Sequence, residues 1–194
     1  MVLRTNSFRR IGTLARMAAS LWFCSIFFAV GVNPAFAQSQ RSTDVRIAIF
    51  GELTITKVND LDFGNIVAPV AGTIVMTATD SATCTESAGI VHSGVCQPAE
   101  FGGKGENGRI VRIKKPPSNQ ITLTGPGADM TITNLVLDGS PELTLIQATN
   151  GYSRFRIDSS TGIFDFRLGG TLNVGANQAP GVYTGTFQVD IQYN

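Results

Sequence analysis

The last stretch of the chain, Gly181 to Asn194, alternates between apolar and polar side chains and constrains the fold more than any other stretch. Strand side chains point to opposite faces in turn, so the pattern predicts a strand with one buried face. Gly185 interrupts the apolar set, which predicts a bulge or a close backbone approach. Nothing later in the sequence covers this strand, and an uncovered edge invites pairing with another chain. The predicted C-terminal assembly strand therefore consists of Gly181 and the apolar set Tyr183, Phe187, Val189, Ile191 and Tyr193.

The start of the chain is typical of a secretory signal peptide. Arginines precede an apolar run from Met17 to Val30, and Ala35 and Ala37 then occupy the positions that a signal peptidase reads. We predict cleavage after Ala37, a mature chain that begins at Gln38, and export to the periplasm, the cell surface or the extracellular space. The run is shorter than the ~20 residues of a spanning helix, so we expect no transmembrane segment in the mature chain.

Composition becomes informative once residues 1–37 are set aside. They hold four of the 15 Lys and Arg residues and none of the 14 Asp and Glu residues, so the mature chain has a net charge of −3. A mildly acidic chain lacks the basic footprint of nucleic-acid-binding proteins, and we expect no nucleic-acid partner. Short alternating runs, frequent turn signals and the lack of helical periodicity predict an all-β domain, most simply a β-sandwich.

Alternating runs also give the expected organisation of the mature chain. Residues 38–52 form an N-terminal arm, and residues 53–194 form one domain. The arm has its own alternating run, Val45, Ile47 and Ile49, which is a candidate donor strand. Residues 152–157 and 162–168 are predicted to form a hairpin, followed by a separate short strand at 172–174.

The two cysteines of the mature chain, Cys84 and Cys96, are predicted to form a disulfide, because an even count in an exported chain is typical of one. A metal or redox pair is disfavoured, since the spacing is not C-x-x-C and His92 is the only histidine. His92 lies near Ser87 and Ser93, but no nucleophile motif accompanies it. We expect no catalytic residue, no enzyme activity and no cofactor.

Two charged groups have alternative interpretations. Asp60 and Asp62 share a face of an extended segment, but a calcium ion requires six or more oxygen ligands, so solvated turn carboxylates are favoured and no metal is expected. The second group is basic and consists of Arg109, Arg112, Lys114 and Lys115. A charged outer strand face is the simpler explanation, and binding of an anionic surface glycan is the alternative.

Four motifs resemble a known family in their order and spacing. They are Leu61-Asp62-Phe63-Gly64, Pro98-Ala99-Glu100-Phe101, Gly169-Gly170-Thr171-Leu172 and the run from Gly181 to Phe187. Together they resemble the secreted bacterial domain of unknown function numbered 4402, which is similar to spore coat protein U and to chaperone–usher pilins. The resemblance implies a single immunoglobulin-like, pilin-like β-sandwich after the signal peptide. Pilin subunits end in an alternating strand with a penultimate aromatic, here Tyr193, and a glycine fourteen residues from the end, here Gly181.

The pilin resemblance implies an exported structural or adhesive cell-surface protein. Such a subunit assembles into a homo-polymer by strand donation after delivery by a periplasmic chaperone, and Val45, Ile47 and Ile49 would supply the donated side chains. The alternative is a monomeric secreted binding domain, in which the N-terminal strand folds against its own sheet. Two features depart from the pilin pattern: the disulfide lies in a mid-chain loop and the arm is short.

Overall fold

A computed structural model describes residues 47, 49–87 and 89–194, and this part of the chain is all-β with antiparallel sheets. The predicted signal cleavage site at Ala35, Ala37 and Gln38 lies outside the described residues, as does Val45. The strands are β1 (Thr54–Asn59), β2 (Asn65–Val67), β3 (Gly72–Met76), β4 (Cys84–Glu86), β5 (Val91–Ser93), β6 (Ala99–Lys104), β7 (Ile110–Lys114), β8 (Ile121–Leu123), β9 (Met130–Asp138), β10 (Leu143–Ala148), β11 (Tyr152–Ile157), β12 (Ile163–Val174) and β13 (Asp190–Tyr193). A short 3₁₀ turn, Pro117–Asn119, joins β7 to β8.

The larger sheet has seven strands and curls into a half-barrel around β12. On one side of β12, its first half pairs with β6 and its second half with β3. On the other side it pairs with β9, which in turn pairs with β8. Within the described residues, β1 pairs with β6 alone and β4 with β3 alone, so these two strands are edges of the sheet.

The centre of β12 is glycine because three strands meet there. A Cβ atom on Gly169 would lie 2.6 Å from the carbonyl oxygen of Met76, and one on Gly170 would lie 3.0 Å from the side chain of Leu135. Glycine in a strand marks such close approaches. The strand therefore runs without a break through residues 163–174, and the separate strand predicted at 172–174 is wrong.

The smaller sheet has four strands in the order β10-β11-β7-β13. Since β11 belongs to this sheet and β12 to the larger one, the predicted hairpin between them is wrong. Their turn carries the chain across from one sheet to the other, and Gly105 donates to the carbonyl of Gly162 at this crossing. A separate two-stranded ribbon, β2-β5, is also present.

One hydrophobic core lies between the two larger sheets. The larger sheet contributes the inward side chains of β12, including Phe164 and Phe166, and the smaller sheet contributes Val111, Ile113 and Phe155, all almost fully buried. Strict alternation in these strands produces the buried face, as the period of a strand requires. The predicted disulfide is confirmed: Cys84 is bonded to Cys96, with Cα atoms 5.9 Å apart.

The C-terminal segment pairs with both sheets in turn. Thr184 exchanges backbone hydrogen bonds with Thr124 beyond the end of β8, and β13 then pairs with β7. The strand is therefore shorter than the sequence pattern predicts. The expected close approach at Gly185 is confirmed, since a Cβ atom there would collide with the carbonyl oxygen of Thr122. In the described part of the chain, no helix is long and apolar enough to cross a membrane.

Candidate functional site

The candidate site lies between β1, the edge strand of the larger sheet, and the C-terminal segment with β13, the edge strand of the smaller sheet. We call this gap the seam. Strands β6 and β7 follow each other in the chain and join the two sheets. On one side they are flanked by β12 and β11, which also follow each other. On the other side they are flanked by β1 and β13, which have no second neighbour among the residues that the structure describes. The sheets are thus continued on one side of β6 and β7, and on the other side they end in two unpaired edges.

Apolar side chains that are only half-buried line both edges of the seam. Leu53 and Ile55 lie on the β1 side, and Phe187, Val189 and Ile191 lie on the C-terminal side. By contrast, the core side chains of β7 and β12 are almost completely buried. The core is therefore partly open to solvent at the seam.

Residues 185–189 of the C-terminal segment lie between its two paired parts. Within the described chain, no backbone hydrogen bond joins these residues to another segment. Their apolar side chains still face the core, and the ring of Phe187 lies 6.4 Å from that of Phe101. A row of unpaired amides and carbonyls beside apolar side chains is a template for an added strand.

Ile47 and Ile49, the two candidate donor residues that the structure describes, are not inserted into this seam. Ile47 and Ile49 are 81 % and 90 % exposed and lie in no strand, so the described part of the predicted arm strand is not formed. Phe50, in the described part of the arm, contacts the domain. Its ring lies 5.6 Å from that of Tyr193, and the guanidinium of Arg109 lies 4.4 Å from its centroid.

Tyr193 is held at the end of β13 by more than the ring of Phe50. Its hydroxyl accepts a hydrogen bond from the backbone amide of Glu106 at 2.8 Å. Tyr183 plays a similar part at the other end of the segment, where its hydroxyl accepts from Gly127 and donates to Ala179. The two tyrosines therefore fix the ends of the C-terminal segment, with the unpaired residues between them.

The ring of His92 contacts one carboxylate and one backbone carbonyl of the described chain. Its Nδ1 lies 3.4 Å from a carboxylate oxygen of Glu86, and its Nε2 lies 3.2 Å from the carbonyl oxygen of Val95. The hydroxyl of Ser87 accepts instead from the amide of Thr73. Both ring nitrogens face local acceptors of the disulfide loop, an arrangement that orders this loop.

Asp60 and Asp62, the two carboxylates considered as calcium ligands, make separate local contacts. Asp60 pairs with Lys57 at 2.6 Å, and Asp62 accepts from the amide of Gly64 in a tight turn. Among the described residues, no three His, Cys, Asp or Glu side chains come together in a way that could hold a metal ion.

A cluster that the sequence analysis did not identify surrounds Arg167. Its guanidinium pairs with Asp80, with Glu100 at 2.8 Å and with Asp165 at 2.7 Å. Burial alone would lower the pKa of Arg167, but the three carboxylates outweigh this effect and raise it. Asp80 and Glu100 lie far apart in sequence, so only the sheet register brings these groups together. The cluster ties β12 to β6 and to the loop before Cys84.

The four residues of the predicted basic group lie in three different environments. Arg112 and Lys114 lie on the outer face of β7, whereas Lys115 is 7 % exposed and donates to the carbonyl of Leu135 at 2.9 Å. Burial lowers the pKa of Lys115. Arg109 instead contacts Phe50 and Glu106. The sequence analysis missed two arginines of β11, Arg154 and Arg156, although they alternate with buried side chains.

The comparison with protein families gives one match. The model of the family described as "Domain of unknown function (DUF4402)" matches residues 53–193. The match begins one residue before β1 and includes all of β13. No curated protein and no solved structure matches the chain.

Proposed function

We propose, from the premise that this chain belongs to the DUF4402 family, that it is an exported structural or adhesive protein of the cell surface that assembles by strand donation. In this proposal the two larger sheets form an immunoglobulin-like, pilin-like sandwich, and the seam between β1 and the C-terminal segment accepts a strand from a neighbouring copy. Two sheets that enclose one core support the sandwich.

The observation that carries the proposal is the combination of an unfilled edge and an unused apolar run. Residues 185–189 have no backbone partner in the described chain, and Ile47 and Ile49 of the same chain are exposed rather than placed beside them. Main-chain hydrogen bonds would give the added strand affinity, and the spacing of its aliphatic side chains would set its register. Burial of each such side chain stabilises an interface by about 1.5–3 kcal/mol.

The same seam explains a requirement for a chaperone before assembly. Unpaired edges and half-buried apolar side chains favour aggregation until another strand covers them. A periplasmic chaperone that lends a strand to the seam would keep the subunit soluble, and a second copy would later replace it. The partners in this proposal are therefore a chaperone and further copies of the chain.

The test compares the exported protein with its Ile47→Asp variant. Val91→Asp is the matched control, because Val91 is also exposed, at 61 %, but lies on the β2-β5 ribbon. We expect wild type and the control to form oligomers that survive dilution, and Ile47→Asp to remain monomeric, since a charge in an apolar groove costs several kcal/mol. Size-exclusion chromatography with light scattering measures the mass. Oligomers of Ile47→Asp equal to those of wild type would contradict the proposal.

One contact favours the second candidate, a self-complemented monomeric binding domain. Phe50 packs against Tyr193 of its own chain, at the end of β13. From this position the preceding residues of the arm can fold back along the seam. In that case wild type is monomeric at every concentration, and Ile47→Asp lowers the melting temperature without changing the mass. The same chromatography therefore distinguishes the two candidates.

A further inference from the structure

The outer face of the smaller sheet carries one row of polar side chains across all four strands. Arg112 of β7 lies directly opposite Arg154 of β11. On the far side of Arg112 is Gln192 of β13, and on the far side of Arg154 is Gln147 of β10. Neighbouring strands are about 4.8 Å apart, so the row is roughly 14 Å long. We call these four residues the arginine row.

The two central members of the arginine row carry like charges that nothing in the described chain neutralises. No carboxylate oxygen of this part of the protein lies within 4.0 Å of Arg112, Arg154 or Lys114. Like charges directly opposite each other destabilise a pair of strands. In the described structure the Nε atoms of both arginines are also covered by neighbouring atoms and have no hydrogen-bond acceptor. The row is thus an unfavourable arrangement for the isolated domain.

The domain as a whole is acidic, so a concentration of cations on one face is unexpected. Residues 47–194 carry nine Lys and Arg residues against thirteen Asp and Glu residues, a net charge of −4. Arg167 alone has three carboxylate partners. Even so, the outer face of the smaller sheet holds four of the nine cations, namely Arg112, Lys114, Arg154 and Arg156. Only Arg156 is paired, with Asp158 at 2.7 Å.

The geometry points to an acidic polysaccharide as the ligand of the arginine row. An acidic group placed over Arg112 and Arg154 would remove their mutual repulsion, and planar guanidinium groups suit carboxylates and sulfates. The amide of Gln192 at one end can donate to and accept from sugar hydroxyls. At the other end the Oε1 atom of Gln147 accepts from Arg154 at 3.4 Å, and its amide NH₂ group can donate to the ligand. The ring of Tyr152, 5.3 Å from the guanidinium of Arg112, adds a flat surface beside the row.

A short row with amide ends fits such a chain better than it fits nucleic acid. Nucleic-acid surfaces present a broad basic footprint to a continuous line of phosphates. Here the cations are confined to two strands, and Asp190 lies opposite Lys114 on the next row. The inference does not depend on strand donation, because these side chains lie on the outer face of the sheet and the seam opens to the core.

The experiment measures binding of the exported protein to three probes at low and moderate salt: polygalacturonate, heparin and a DNA duplex, with neutral dextran as a blank. The test variant is the double substitution Arg112→Gln and Arg154→Gln. The matched control, Lys57→Gln with Lys104→Gln, removes the same charge from exposed positions of other strands. A second test variant replaces both arginines by lysine, which keeps the charge but removes the planar donors.

We expect polygalacturonate or heparin to bind wild type and the control equally, and the glutamine variant to bind roughly tenfold or more weakly. Polygalacturonate carries carboxylates alone and heparin carries carboxylates and sulfates, so binding of polygalacturonate shows that carboxylates suffice, and binding of heparin alone shows that sulfate is required. The lysine variant should lose part of the affinity. Because the glutamine variant loses a repulsive pair, its melting temperature should equal or exceed that of wild type, which shows that the fold is intact. Failure of both polysaccharides to bind, equal loss in the control, or tighter binding of DNA would each overturn the inference.

Discussion

The ammonium group of Lys115 donates to the carbonyl oxygen of Leu135 at 2.9 Å, inside the protein. No carboxylate of the described chain lies within salt-bridge distance of it. A buried charge that has one neutral acceptor is costly, and burial accordingly lowers the pKa of Lys115. The folded protein therefore holds this proton less tightly than the unfolded chain does.

The first prediction is that Lys115 makes the free energy of unfolding depend on pH. The unfolded pKa is 10.5 and the folded pKa lies below it. Between these two values the unfolded chain binds more protons, so the free energy of unfolding rises with pH through that window. Below the window, wild type bears the full penalty of the buried charge.

The Lys115→Met variant isolates this effect, because the methionine side chain has a similar volume but no titratable group. Urea unfolding of both proteins from pH 7 to 11 should show wild type gaining stability relative to the variant as pH rises. Subtraction of the two curves removes the contributions of other titrating groups. A difference that stays constant or moves in the opposite direction would contradict the prediction.

The second prediction concerns the cluster around Arg167. Replacement of Arg167 by Met leaves Asp80, Glu100 and Asp165 close together without a cation, and loss of the charged hydrogen bonds of this partly buried cluster should cost about 1.5–3 kcal/mol. Asp80→Asn is the matched control, because the Asp80 side chain is 70 % exposed and its pair is worth at most about 1 kcal/mol. Chemical denaturation of the three proteins checks the order of stability. Equal losses in the two variants would show that the cluster does not depend on its cation.

The third prediction tests the glycine at the centre of β12. Gly169→Ala places a Cβ atom 2.6 Å from the carbonyl oxygen of Met76, and the resulting strain should cost about 1–3 kcal/mol. Gly151→Ala is the control, because a Cβ atom there meets nothing within 4 Å. Thermal unfolding monitored by circular dichroism measures both. The prediction fails if Gly169→Ala melts at the wild-type temperature.

Residue parity could be read directly from the sequence, because it depends only on the period of a strand. Tyr183, Phe187, Val189, Ile191 and Tyr193 all face the core, as their alternation predicts. The extent of the strand could not be read, since backbone pairing depends on which segment lies alongside. The same pattern also contained a signal that the basic-group interpretation overlooked: Lys115 shares the parity of Val111 and Ile113, and it is buried with them.

Contacts between segments that are far apart in the chain could not be predicted from the sequence. The turn between β11 and β12 has the residues of a hairpin turn, but such residues reverse the chain whether the two strands pair or enter different sheets. The arginine row depends likewise on the register of four strands from distant parts of the chain. The disulfide was predictable because the even number of cysteines after residue 37, rather than the sheet register, indicated it.

The position of β12 has a consequence for the order in which the protein folds. This strand pairs with β3, β6 and β9, yet it occupies residues 163–174, near the end of the sequence. Pairing over such long separations is slow, because the loop entropy is lost before the contacts form. During synthesis the earlier strands must wait for their common partner. The larger sheet can therefore be completed only after nearly all of the chain has been made, whereas pairs such as β3 with β4 and β8 with β9 do not depend on β12.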